Sequence, residues 1–278
     1  MKTATDFRFG LPPDIPFEVD PTPDEVAFFR ENGFLVVDRL TTDEEIDWLR
    51  PIFEAAFEKV DSGDLVSDNK KVSYQTMMPE FRFPELLHTT YLRNAKRYAI
   101  ALLGVDPWEL GSWGHMIRKP AGKGNSRLAP WHQDEAYWES ELEYHALGSW
   151  LPLHDVTIEM GAMQFIPGSH KLGVLDHIFY DDDPIHNLLE AVGVDTSTAV
   201  ACPLEKGGAT FHHQRTLHFT EPNTTDQPRL AYPIEHQVTP RWRDVPAERP
   251  WVDAMRAATG RGMIDKHFAD GVMTTLPR

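Results

Sequence analysis

The sequence predicts a β-rich α+β fold, with helices first and a barrel or sandwich of short strands after them. Three observations predict it. Up to Leu103 the apolar residues recur at three-and-four spacing, the period of a helix with one buried face. From Leu110 onward, short apolar runs alternate with Gly, Pro and Asn turns, the pattern of strands joined by tight connections. The candidate metal ligands His132, Asp134 and His218 all fall in that second half. Helices buttressing one side of a barrel whose mouth holds a site would give this order.

The elements follow in chain order. Residues 1–21 read as an arm on the surface, punctuated by Pro12, Pro13, Pro16 and Pro21. Thr22 reads as an N-cap, Pro23 as the first helical residue, and Glu25 completes a capping box. Gly33 ends that helix, and Phe34–Val37 is a short strand. Thr41-Thr42 caps a longer helix whose packing face is Ile46, Leu49, Ile52, Phe53, Ala56 and Phe57. Residues 62–80 are polar and irregular, and a further helical region spans Pro84 to Leu103. Strands are expected at 111–119, 146–153, 163–166, 199–203, 209–213, 217–220 and 229–238. An insertion at 171–198 holds Asp181-Asp182-Asp183 and some helix near Ile185–Ala191. The tail from 239 ends in a helix at Pro250–Thr259. We read 1–278 as one domain: the arm, helical support over 22–109, a β core over 110–238, and the tail.

Bulk composition excludes several classes. With 278 residues and 41% hydrophobic content the chain can bury a sizeable core. Its formal net charge of -16 makes it a poor partner for nucleic acid or an anionic membrane surface. No apolar run reaches the ~18 residues of a bilayer span, and Met1–Asp20 carries no basic-then-apolar leader pattern. Cys202 is the single cysteine, so no disulfide framework is expected, and a reducing compartment, by default the cytoplasm, is. A small-molecule partner remains; oligomeric state is not written in the sequence.

His132 and Asp134 are two residues apart. On a strand, side chains at that spacing leave the same face, so an imidazole and a carboxylate would point at one spot. A third ligand brought in by the fold would complete two histidines and one carboxylate, the set that suits Fe(II) and leaves positions open for substrate and oxygen. A closed structural zinc site would want four protein ligands, usually with cysteine. In an acidic chain with 13 His a lone His-x-Asp is expected by chance, and a satisfied surface or core histidine is the competing reading.

Context adds to it. The run from His132 through Trp150, Gly161, Ile166-Pro167-Gly168-Ser169-His170 and Gly207-Gly208 to His218, Asn223 and Arg229 resembles the phytanoyl-CoA dioxygenase family. Glu31-Asn32-Gly33-Phe34-Leu35-Val36-Val37 is similar to that family's opening helix and strand, and the resemblance spans roughly residues 22–237. It implies a double-stranded β-helix, or jelly-roll, cupin-like barrel, and an Fe(II)- and 2-oxoglutarate-dependent oxygenase. It implies Fe(II) held by His132, Asp134 and His218. The far carboxylate of 2-oxoglutarate would rest on Arg229, assisted by the Thr220 hydroxyl, and O2 would take the last metal position. The products would be an oxidised substrate, succinate and CO2. Halogenating relatives lack the carboxylate that Asp134 supplies, so hydroxylation is the expected outcome, with desaturation, epoxidation and ring expansion open.

Each carried residue also has its own reading. Arg229 follows His218 by eleven residues across a Pro-Asn turn, so a hairpin would bring its planar fork to the same cavity; a surface ion pair is the alternative. Thr220 shares the strand face of His218. Trp150 has Gly148 and Pro152 as face neighbours and lines the cosubstrate pocket or is ordinary core. His115 is a further cosubstrate-side candidate, although some relatives have an apolar residue there. Lys119 reads as a turn residue. Tyr137 and Trp138 form a substrate wall or core. His212 and His213 point opposite ways on a strand, His170 belongs to a turn, and His154 has the wrong spacing to Asp155, so all four are left out of the metal set. Arg118, Arg215, Arg241 and Arg243 are possible anchors for an acidic substrate or solvated charges. Two rival classes stand: a cupin-type metalloenzyme without 2-oxoglutarate, and a non-catalytic binding barrel.

Overall fold

The computed structural model describes residues 7–61, 74–182 and 188–259. Helix α1 (Pro23–Asn32) starts on the expected box: Thr22 Oγ1 accepts from the Glu25 N–H, and the Glu25 carboxylate accepts from the Thr22 N–H at 2.7 Å. Strand β1 (Phe34–Val37) leads to α2 (Asp43–Asp61), capped by Thr42 Oγ1 on the Glu45 N–H. Strand β2 (Tyr74–Met77) lies in the stretch expected to be irregular, whose residues 62–73 fall outside those described. The helix expected from Pro84 is split. A 3-10 turn covers Pro84–His88, Thr89 caps, and α3 (Thr90–Leu103) follows. The cause is Glu45, whose buried carboxylate accepts from the Thr90 and Tyr91 N–H groups and fixes the start of α3 there.

Then come β3 (Leu110–Lys119), β4 (Ala129–His132), β5 (Leu142–Glu143), β6 (Ala146–Pro152), β7 (Met163–Phe165), β8 (His177–Phe179), β9 (Leu189–Ala191), β10 (Val200–Cys202), β11 (Ala209–His213), β12 (His218–Thr220), β13 (Arg229–Val238), β14 (Arg241–Trp242) and α4 (Pro250–Thr259). The insertion corrects one expectation. Leu189–Ala191 is a strand paired with β8, although Leu, Glu and Ala favour helix; cross-strand pairing overrides that preference. Residues 183–187 lie outside the described ones.

Two antiparallel sheets form the β core. One has six strands in the order β1-β11-β6-β13-β3-β2, the other four in the order β10-β7-β12-β4. They face each other without closing into one barrel: the second sheet's strands are three or four residues long and share no ladder with the first. Between them Phe34 stacks on Phe165 at 5.0 Å, with Trp150, Met163, Cys202 and Ala231 in the same core. The outer face of the six-stranded sheet carries Leu35, Leu147, Leu151, Phe211 and Ile234 against α2 and α3. Tyr98 stacks on Phe211 at 5.1 Å there. Burying an aromatic of this size is worth roughly 2–3 kcal/mol. No helix among the described residues is long and apolar enough to cross a membrane.

The register sets which side chains look inward. Lys119 pairs with Arg229, Ile117 with Ala231, and Trp150 with both Pro233 and Thr210. His212 pairs with Gly148, and Gly148 with Glu235. Alternation along each strand therefore lines the space between the sheets with Lys119 and Arg229 at one end, and with His212, Gly148 and Glu235 farther along.

Candidate active site

His132, Asp134 and His218 come together, each offering one ligand atom, with all three atoms within 4.8 Å of one another. Strand β4 ends at His132, and Asp134 opens a 3-10 turn over Asp134–Tyr137. Both still leave the same side, because Gln133 between them is extended at φ -122, ψ 135. The register between β12 and β4 pairs His218 with His132 but Thr220 with Ala129, so β4 holds one extra residue. A bulge of this kind at Pro130-Trp131 re-aims the strand end towards the site. Each imidazole has its Nδ1 at a carbonyl, His132 at Pro130 O (2.6 Å) and His218 at Thr216 O (3.0 Å), which leaves both Nε2 atoms for a metal.

Burial would raise the Asp134 carboxyl, yet His218, His212 and His132 hold it well below the usual range. Burial pushes His218 down to about 3 and also lowers His132, so both are neutral and able to ligate. His212 is the residue sequence reasoning set aside. Its Nε2 lies 3.0 Å from Asp134 Oδ2, and its ring packs on Phe165 and His218. Opposite facing of His212 and His213 holds; it also puts one of the two at the site. His213, His170 and His154 find partners elsewhere: Arg215 N, Arg30 O and Asp155 O.

Farther along β12, Thr220 sits on the His218 face and both are buried. Thr220 Oγ1 accepts from Lys119 Nζ at 2.8 Å, and Lys119 also donates to Glu221 O. Lys119 is the last residue of β3, 1% exposed, and its strand partner is Arg229. It is a buried amine at a strand end, not a turn residue. Arg229 lies 5.2 Å over the Trp150 ring and donates to Gly161 O, while its buried Nε has no partner. Burial, with Arg229 beside it, lowers Lys119 to about 6, and burial lowers Arg229 to about 10. A buried guanidinium, a buried amine that a bound anion would charge, a hydroxyl and an orphan N–H make a cradle for a carboxylate.

His115 is on the cavity side of β3 but two inward positions from Lys119, with Nε2 3.9 Å from Glu235 Oε1. Lys119, rather than His115, therefore stands beside Arg229. Glu235 was missed by sequence reasoning. Burial raises its carboxyl well above the usual range, and Oε2 has no partner. A Cβ at Gly148 would lie 2.9 Å from His212 Cε1 and 3.5 Å from Glu235 Oε1, so a side chain there would force His212 to shift. The side chains of Asp134, His115 and Glu235 keep 22%, 18% and 14% exposure, so all three border a solvent-reachable space. Tyr137 meets the His132 ring edge-on at 5.8 Å and accepts from the Leu189 N–H; Trp138 packs on Tyr144, away from the ligands.

Comparison with known proteins agrees with this geometry. Residues 29–231 match the sequence pattern of phytanoyl-CoA dioxygenase (PhyH). The chain belongs to the phytanoyl-CoA dioxygenase family. Among its curated relatives, phytanoyl-CoA dioxygenase domain-containing protein 1 of Danio rerio is 24% identical over 264 residues, covering 76% of this chain and 88% of that protein. The crystal structure of EvdO2 from Micromonospora carbonacea var. aurantiaca complexed with 2-oxoglutarate is 33% identical with a TM-score of 0.74, over 84% of this chain and 99% of that one. The epimerase SnoN from nogalamycin biosynthesis, solved with Fe3+ and alpha ketoglutarate, shares the fold at 22% identity and TM-score 0.62, over 79% and 85%. Within this family's fold the His132–Asp134–His218 cluster and the Arg229–Lys119 cradle face the same interior space.

Proposed function

We propose that this family member is an Fe(II)- and 2-oxoglutarate-dependent oxygenase that hydroxylates an unactivated C–H bond of a small organic molecule, releasing succinate and CO2. One observation carries the reading: His218 of a two-histidine, one-carboxylate set and Thr220 of the cradle it forms with Lys119 and Arg229 lie two residues apart on one face of β12. His132, Asp134 and His218 would hold the iron on one side and leave the other open. Iron and 2-oxoglutarate together supply the power to oxidise a C–H bond.

The chain's own residues do the rest. Arg229 and Lys119 orient the dianion through its far carboxylate, and Thr220 and Trp150 fix its line. Asp134, held ionised, keeps a carboxylate where a halide would otherwise sit, which favours hydroxylation. Tyr137 and Phe165 screen the histidines from water. We read the two sheets as the halves of a double-stranded β-helix. The buried thiol of Cys202 and the absence of any disulfide partner fit a cytoplasmic setting.

The test is direct. Anaerobic protein loaded with Fe(II) and 2-oxoglutarate should show a weak visible charge-transfer band, and admission of air should yield slow succinate that Asp134→Ala lacks. Iron bound without any band would overturn the 2-oxoglutarate reading in favour of a cupin-type metalloenzyme.

A further inference from the structure

A second basic pocket lies behind the turn that carries Asp134. Asp134 points into the space between the sheets, and Glu135 points away from it, fully buried. Three guanidinium groups converge on that one carboxylate. Arg249 reaches Oε1 at 2.7 Å, Arg215 reaches Oε2 at 2.6 Å and Oε1 at 3.3 Å, and Arg243 reaches Oε1 at 3.5 Å. A carboxylate oxygen has two lone pairs, so three donors on Oε1 exceed its capacity, and two of the three contacts are long. Arg243 is the least served by Glu135, its Nε donating instead to Leu142 O at 2.8 Å. Arg249 is 4% exposed, and its Nε is buried with no partner.

The same three arginines line a cavity of about 230 Å³, with Val174 and Trp251 on its apolar wall and the exposed Glu248 at its rim. Inside the rim the charge is three cations against one anion. In a chain with a formal net charge of -16, such a local surplus of cations is the reverse of the average surface. A buried, under-satisfied arginine cluster gains most from a second oxyanion, because each planar fork can then make paired, charge-assisted hydrogen bonds.

We infer that the pocket walled by Arg215, Arg243 and Arg249 is a binding site for an oxyanion group, a carboxylate, sulfate or phosphate, separate from the Arg229 cradle. The inference goes beyond the oxygenase reading and needs no iron. The site touches the metal side through the backbone. Arg249 donates to Glu135 O, and the Gln133 side chain donates to Arg215 O at 2.6 Å. An anion here therefore rests on both neighbours of Asp134.

Protein loaded with Mn(II) and 2-oxoglutarate, which fills the Arg229 cradle, is titrated with sodium sulfate by calorimetry at low ionic strength, with sodium chloride as control. One sulfate per chain is expected, weakened at least about tenfold by Arg243→Gln and by Arg215→Gln. Glu248→Gln, at the exposed rim, should tighten binding a few-fold; a purely structural cluster would not respond to it. Arg229→Gln should lose 2-oxoglutarate and keep the sulfate. A failed oxygenase reading thus shows as missing 2-oxoglutarate uptake, with this pocket still scored by Arg243→Gln. Propyl sulfate binding more tightly than sulfate would mark the site as the seat of an acidic end of a larger molecule, and equal affinity would mark a free anion. No sulfate uptake, or uptake indifferent to both arginine variants, overturns the inference.

Discussion

His212 Nε2 and Asp134 Oδ2 lie 3.0 Å apart, tying a strand of the six-stranded sheet to the carboxylate of the candidate metal site. A ligand carboxylate held by such a partner loses one of its orientations before any metal arrives. His212→Phe keeps the ring and removes the donor. We expect metal affinity to fall about 10–100-fold with the fold retained, read by competition with a chelator at fixed pH. Unchanged affinity would show that Asp134 is positioned without His212.

The carboxylate cradle makes a second prediction. Arg229→Gln removes the fork stacked on Trp150, and Lys119→Met removes the amine while keeping the stem. Charged hydrogen bonds of this kind are worth about 1.5–3 kcal/mol each. Each variant should need roughly ten to a hundred times more 2-oxoglutarate to reach half the visible band. A Lys119→Met protein that matches the parent would assign the whole cradle to Arg229.

A third prediction concerns protons. Burial and Arg229 lower Lys119 to about 6, so at pH 7.5 it is neutral in the empty cradle and charged in the unfolded chain. Between about 6 and the ordinary lysine value the unfolded state holds the extra proton, and this group's contribution to stability rises with pH through that window. A dianion in the cradle restores the charge. Binding of 2-oxoglutarate at pH 7.5 should take up close to one proton per chain, seen as a dependence of the binding heat on buffer ionisation heat. Lys119→Met should abolish that dependence; its persistence in the variant would place the proton elsewhere.

Gly161 offers a fourth. It has φ +82, its carbonyl accepts from Arg229, and a Cβ there would collide with the Glu221 carbonyl that Lys119 donates to. Left-handed backbone costs an L-residue about 1–2 kcal/mol before any clash. Gly161→Ala should lower Tm by at least about 3 °C and weaken 2-oxoglutarate binding, while metal affinity stays near the parent. A variant with parental Tm would mean that the loop yields freely.

Much of this was legible in the sequence, for local reasons. The Thr22–Glu25 box and the His132-x-Asp134 pair depend on spacings of two or three residues, and spacing survives folding. What was not legible depends on register between distant strands. Lys119 precedes Pro-Ala-Gly and looks like a turn; its partner Arg229 is 110 positions on, and that pairing buries it. His212 and His213 face opposite ways, as alternation requires, but the choice of inward residue is made by β1 and β6 on either side. Glu235 gave no local signal at all. Its place is set by register, which pairs it with Gly148 and turns it into the space between the sheets. Leu189–Ala191 has helix-forming residues and a strand partner, and the partner prevailed.

Strand β12 puts His218 and Thr220 on one face, with Lys119 bonded to Thr220. Two residues of extended chain span roughly 6.6 Å. That step is a ruler laid between the metal end and the cation end of the cavity. On the proposed reading a keto diacid would lie along that step, its keto-acid end towards His218 and its far carboxylate towards Thr220, Lys119 and Arg229. Cosubstrate length would then be matched to the pitch of the backbone.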